Sequence, residues 1–367
     1  MSEKPRANDP CWCGSQKKYK KCHWNRELAQ PVPFEAMAEA LRKGSAHRTC
    51  LHPSAAQGVC DKIVSAHTIQ RSTVLQRLVD RKNHVRTFYP PELDASKGGL
   101  RLHQIGWREA STFTGFCSKH DNLVFKPLEA VEFGGSFEQC FLVAYRALCH
   151  EIYQKSGLLR ADPVLRSLVD RGVPIEAQRG IQEMWATMEA GTRKGLADFQ
   201  KLKAAMDEHL IGGRYSGWSR AIVNFRGDLC IASTGAVSPN RDFKNQQLQV
   251  LHDVEEKVQE LPFGIVATRE GGAAVFFWRS GDAAPEAFVE SLLRRDASRL
   301  PGLIVQFMFA YVENTYFSGD WWWSLPEMHR THLESLAAIS VPYYVDFAYS
   351  YAKYVPWEVT SIVRDAV

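Results

Sequence analysis

The chain is predicted to be an α+β protein whose first third is organised by metal. Three observations carry this: two groups of cysteine and histidine within the first 130 residues, a helical periodicity from Phe137 to about Leu210, and short β-rich runs after Gly212-Gly213. They divide the 367 residues into four expected segments. Residues 1–30 and 45–130 form two small zinc modules, 131–212 a helical connector, and 213–367 a C-terminal α+β domain. Zinc is expected because thiolate and imidazole are the donors that a borderline-soft divalent ion prefers, and four of them at short spacing close a tetrahedral site that holds a small fold together.

In the first segment, Cys11-Trp12-Cys13 and Cys22-His23 supply four donors. A C-x-C pair presents two sulfurs from a tight turn, Gly14 allows the following reversal, and the adjacent Cys22-His23 complete the set. The site is closed and therefore structural. The pattern C-x-C-x8-C-H, with its Gly-Ser turn and Lys-Lys-Tyr-Lys run between Asn8 and His23, closely resembles the SEC-C motif, the zinc module at the end of the SecA translocase ATPase and on many unrelated bacterial proteins. The resemblance implies Cys11, Cys13, Cys22 and His23 as zinc ligands, and implies docking to a partner without naming one. Lys17, Lys18, Lys20 and Lys21 either contact phosphate or an acidic protein surface, or solvate a domain with almost no core.

The second segment places Cys50 and Cys60 around a loop of small residues, then Cys117-Ser118-Lys119-His120. Cys117-x2-His120 is the spacing of two ligands at the start of a helix, and the four together suggest a treble-clef zinc site. His52 and His67 are alternative donors. Between them, Ile69, Val74, Leu75 and Leu78 among arginines predict a short amphipathic helix with a basic face, and Ile105 to Phe113 a strand or turn leading to Cys117. Trp107, Phe113 and Phe116 are expected to cover the module rather than stack on bases.

The order of Ser65-Ala66-His67-Thr68-Ile69 and then Cys117-Ser118-Lys119-His120-Asp121 is similar to that of HNH endonucleases, over residues 50 to 125. That resemblance implies His67 as a general base and a divalent ion, Mg²⁺ or Mn²⁺, at the scissile phosphate. The pattern departs in two places: no Asp or Glu stands beside His67, and no clear middle asparagine is present. Asp121 or Asn122 could replace the missing ligand of that second metal, or the site is inactive and only binds.

In the connector, Phe141, Leu142, Ala144, Tyr145, Leu148 and Ile152 recur at helical intervals, as do positions from Ile181 to Leu210, with Asp162-Pro163 and Gly172-Val173-Pro174 as punctuation. In the last segment Ala221 to Phe225, Leu229 to Ala232, Phe263 to Ala267 and Ala273 to Trp278 are β-rich runs, and Leu303 to Tyr311 is a longer apolar one. Aromatics crowd the stretch from Trp321-Trp322-Trp323 to Tyr343-Tyr344. Glu313 to Tyr316 with Asp320 fit turn chemistry better than a site, and His329 and His332 a surface helix better than a metal pair.

At 45% apolar residues the chain can bury an ordinary core. A formal charge of +4 permits nucleic acid as a partner without arguing for it, but the basic residues bunch beside the cysteines: the four lysines above, and Arg71, Arg77, Arg81, Lys82, His84 and Arg86. No long apolar run or hydrophobic leader appears, so a cytoplasmic protein without membrane insertion is expected. Nine cysteines, six grouped with histidine, favour thiolates on metal over disulfides, leaving Cys140, Cys149 and Cys230 as buried free thiols. No P-loop, dinucleotide-binding glycine motif, hydrolase elbow or internal repeat is present. The sequence thus points to a zinc-binding, nucleic-acid-directed protein with DNA or RNA as partner, either an HNH-like endonuclease of a bacterial defence or toxin type, or a non-enzymatic adaptor for nucleic acid or protein. A third reading puts the activity in the C-terminal domain.

Overall fold

A computed structural model describes residues 5–88, 101–251, 256–338 and 349–366. In chain order its elements are α1 (Phe34–Ser45), β1 (Ile63–His67), α2 (Gln76–Leu78), β2 (His84–Phe88), β3 (Leu102–Gly106), β4 (Thr112–Cys117) and α3 (Ser118–Glu129). Then follow α4 (Phe137–Arg166), α5 (Ile175–Gly212), β5 (Trp218–Arg226), β6 (Ile231–Val237), β7 (Leu261–Ala267) and β8 (Gly271–Arg279). The last are α6 (Ala283–Leu293), α7 (Leu300–Tyr311), β9 (Thr315–Phe317), α8 (Gly319–Ser324), α9 (Glu327–Ala337) and β10 (Glu358–Ala366). The protein is α+β, as its sequence predicts. The aromatic pair Tyr343-Tyr344 lies outside the described residues.

The chain forms two compact units: the residues through His47 with Gln154–Ala197, and Arg48–Tyr153 with the chain from Asp198 onward. The division falls within α4 and α5. Sequence order carries no record of which segments pair in space. Here β2 and β3, from between the ligands of the second cluster, join the sheet built by the C-terminal strands.

In the first unit α1 packs closely on α4. A Cβ on Gly44 would stand 2.8 Å from the Cβ of Ala161. The expected break at Asp162-Pro163 does not occur; α4 runs through Pro163 to Arg166, with the Asp162 carboxylate accepting from Trp185 Nε1 at 2.5 Å. The chain reverses instead around Gly172, whose φ of +74° suits glycine and where a Cβ would lie 2.7 Å from the Ala29 carbonyl.

The second unit holds an eight-stranded antiparallel sheet in the order β10-β5-β8-β7-β6-β9-β2-β3. Alternate residues face opposite layers. Phe263 and Phe276 meet α7, where the Phe307 ring lies 5.0 Å and 5.9 Å from theirs. Phe277 faces the other way, 5.6 Å from Phe137 and 5.9 Å from Phe141 of α4. With both faces covered, β6 and β7 are buried along their whole length, which is why their sequences run apolar and small rather than alternating. The longer apolar run Leu303 to Tyr311 belongs to helix α7. It is buried from Leu300 to Ala310 and apolar all round, and such a short run carries no period that separates helix from strand.

A separate two-stranded ladder pairs β1 with β4, Ile63 opposite Cys117 and His67 opposite Thr112, and α3 starts directly after β4. The insert between the two strands begins with the helical turns Arg71–Leu75 and Gln76–Leu78, which bury Ile69, Val74, Leu75 and Leu78 as their periodicity predicts.

Candidate metal centres

In the first unit, Cys11 and Cys13 flank a turn closed by Gly14 N–H on the Cys11 carbonyl, with Gly14 at φ +76°. The amide of Cys11 also binds the Lys17 carbonyl, drawing the Lys-Lys-Tyr-Lys run back across the knuckle. A single helical turn, Tyr19–Lys21, buries Tyr19 and delivers Cys22 and His23, while the four lysines stay exposed. The donors converge: His23 Nδ1 lies 3.1 Å from Cys11 Sγ and 3.2 Å from Cys22 Sγ, and Cys13 Sγ lies 3.5 Å and 3.6 Å from the other two sulfurs. A tetrahedral ion with bonds of about 2.3 Å to sulfur and about 2.0 Å to nitrogen sets its ligands roughly 3.5–3.8 Å apart, so these four fit zinc. Burial pushes the Cys11 thiol up to about 12; burial also acts upward on Cys13, but contacts with His23 and Ser15 bring it down to about 5. Burial works against a charge on His23, yet its bond to Asp170 lifts it to about 9.

Residues 8–25 match the family model of the SEC-C motif. No curated protein and no solved structure matches the chain. In this SEC-C motif, Cys11, Cys13, Cys22 and His23 are the four side chains able to hold a metal ion.

The second group lies in the second unit. The segment before the loop runs beside β4, Thr49 N–H on the Thr114 carbonyl and Leu51 N–H on that of Gly115, which brings Cys50 to the end of the strand. The loop returns Cys60, Cys117 closes β4, and the first turn of α3 delivers His120. His120 Nδ1 lies 3.2 Å from Cys117 Sγ, 3.4 Å from Cys50 Sγ and 3.6 Å from Cys60 Sγ, again the spacing of a tetrahedral ion. Cys50, Cys60, Cys117 and His120 form the second set able to hold a metal, and these two are the sets of Cys, His and carboxylate so placed among the described residues. His52 stands outside: its ring stacks on His120 at 4.0 Å and its Nδ1 accepts from the Ser54 amide.

His67 also stands outside the thiolate set. It ends β1, and its Nε2 lies 3.2 Å from the Arg108 carbonyl. Burial first, and then the charge of Arg71, lower its pKa, so the ring is neutral at pH 7. Arg71 and Arg108, both exposed, approach the ring of Trp107 at 5.9 Å and 5.7 Å. Part of the expected basic stretch is spent elsewhere, since Arg77 donates to the carbonyls of Gly271 and Thr268 and Arg86 lies 3.8 Å from Asp80. Phe113 and Phe116 are buried as expected, whereas Trp107 is only half-buried.

Asp121 is in the first turn of α3, and its Oδ1 is 3.9 Å from Nη2 of Arg146, which donates to Glu129 at 2.7 Å. Arg146 is buried, 3.9 Å over the Phe125 ring. Sequence reasoning missed it, although an arginine inside the apolar stripe of α4 was a signal. Asp170 and Gln182, beside His23, were also missed and left no signal in sequence. Asn314, read as turn chemistry, instead ties β6 to the insert through Thr234 O, Thr68 Oγ1 and Ser111 Oγ. Cys140, Cys149 and Cys230 are buried and free, their thiol pKa values pushed up by burial. His332 Nε2 lies 3.0 Å from Gln306 Oε1. No helix among the described residues is long and apolar enough to cross a membrane.

Proposed function

We propose that the chain is a zinc-stabilised nucleic-acid-binding protein whose binding face is His67, Arg71, Trp107 and Arg108, beside the second metal centre. The observation that carries this reading is the half-buried Trp107 ring lying near two exposed guanidinium groups, with His67 on the carbonyl of one of them. Two cations meet phosphates and the ring offers a stacking surface, the combination that holds a strand without reading its sequence. The succession of β1, β4 and α3 around Cys117 and His120 supports the likeness to HNH modules.

Binding without cutting is the better-supported form. A hydrolytic site would need carboxylates free to hold Mg²⁺ or Mn²⁺, whereas Asp121 faces the fixed positive charge of Arg146 and His67 has no acidic neighbour in sequence. The nuclease reading keeps one observation in its favour, a His67 ring outside the thiolate set whose burial favours the neutral form. The exposed lysines of the SEC-C motif add a second surface for nucleic acid or protein. Anisotropy titrations with labelled single-stranded and duplex DNA and RNA, run beside plasmid incubated with Mg²⁺ or Mn²⁺, test this. Salt-dependent binding without nicking supports it, absence of binding refutes it, and nicking abolished by His67→Ala would establish the nuclease instead.

A further inference from the structure

The SEC-C motif is tied to the reversal between α4 and α5 by a carboxylate on the far side of its histidine. His23 presents Nδ1 to the sulfurs, and its Nε2 lies 2.8 Å from Oδ2 of Asp170, a fully buried residue 147 positions away in the chain. Asp170 is itself held in place. Gln182 Nε2 donates to the same oxygen at 2.8 Å and to the Arg166 carbonyl at 2.9 Å, and Arg26 Nε pairs with the other oxygen at 2.9 Å. Arg166 then reaches back to the Cys13 carbonyl at 3.3 Å. Both halves of the knuckle therefore rest on one end of the helical pair.

Arg26 Nη1 also lies 2.9 Å from His23 Nε2. Only one of these contacts can be a hydrogen bond to that nitrogen. An imidazole with its Nδ1 lone pair on a metal carries its proton on Nε2, which then donates and needs an acceptor; Asp170 is that acceptor, and Arg26 is beside it because it pairs with the same carboxylate.

We propose that Asp170 is a positioning residue for the first metal site: it fixes the tautomer and ring orientation of His23, and through Gln182 and Arg26 it makes order in the α4–α5 reversal depend on metal occupancy. The motif is then a fastening for the helical pair rather than a free appendage. A ligand histidine held by a carboxylate is a better donor, and losing such a partner typically weakens metal binding about 10- to 100-fold.

The test loads the full chain with cadmium-113, assigns the two resonances with Cys22→Ser, and follows each against a competing chelator. Asp170→Ala should weaken the first site about 10- to 100-fold and leave the second unchanged. Asp170→Asn, which keeps an acceptor oxygen, should recover most of the loss. Asp162→Ala serves as control, because it removes a buried hydrogen bond between the same two helices without touching His23. Binding by Asp170→Ala within twofold of wild type, or an equal loss in Asp162→Ala, overturns the proposal. Should Asp170→Ala fail to fold, hydrogen exchange on the Cys22→Ser chain decides. Faster exchange of amides 168–182 than in wild type supports the coupling, and unchanged rates refute it.

Discussion

Replacing Arg71 and Arg108 together with alanine isolates the electrostatic part of the binding face. Both side chains are exposed, and their contact is the Trp107 ring rather than a carboxylate, so their charge is available to a ligand. If each neutralises one phosphate, each contributes about 0.9 to the slope of log affinity against log salt on duplex, or about 0.7 on a single strand. Losing both lowers the slope by about 1.8 or 1.4. Between 50 and 200 mM salt the wild-type protein should therefore lose about 12-fold more affinity than the double variant on duplex, or about 7-fold more on a single strand. Stability should stay within about 0.5 kcal/mol, since the substitutions are on the surface. Anisotropy titrations at four salt concentrations, with a denaturation curve for each protein, read all of this. An unchanged slope in a folded double variant would refute the assignment of the face, and a slope that falls only when Lys17, Lys18, Lys20 and Lys21 are neutralised would move binding to the SEC-C motif.

Three other outcomes follow from the geometry. The His67 ring should titrate below the ordinary histidine value by NMR, and Arg71→Ala should move the midpoint part of the way back, burial being the larger cause. The folded state binds this proton less tightly than the unfolded chain, so His67 contributes stability that grows as pH rises from its folded pKa to about 6.5 and is lost as pH falls through that window. Phe307→Ala, which removes a fully buried ring meeting Phe263, Phe276 and Phe288, should cost about 3–5 kcal/mol in denaturant unfolding; under 1 kcal/mol would mean that α7 does not cover the sheet. Asn314→Leu removes the donor to the Thr234 carbonyl and to two hydroxyls that keep each other as partners, and should cost about 1–3 kcal/mol, with faster hydrogen exchange at Thr68 and Ile69; unchanged exchange there would break the proposed tie between β6 and the insert.

The legible parts of the chain were those where local chemistry decides. Cys11, Cys13, Cys22 and His23 lie within thirteen residues, and ligand spacing is a local property. The amphipathic turns at Ile69 to Leu78 showed through their helical spacing, and the strand cores at Ala221 to Phe225 and Ala273 to Trp278 through β-rich runs bounded by Gly, Pro and Asp. Strands β2 and β3 were assigned to the second zinc module because they stand between its ligands, but the partner of β2 in the sheet, β9, lies more than two hundred residues on, and pairing at that distance leaves no trace in one sequence. The same holds for Asp170, a single acid in a turn. The element of the α7 run was left open for a different reason: apolar on every side, it offered no face to count.

Zinc content with X-ray absorption at the zinc edge tests the central claim most directly. Two zinc ions per chain are predicted, with an average shell of three sulfurs at about 2.3 Å and one nitrogen at about 2.0–2.1 Å, unchanged in His52→Ala and His67→Ala. Fewer than two ions, or a shell that loses nitrogen when His67 is replaced, would contradict the assignment of both ligand sets and of the binding face built around a free His67.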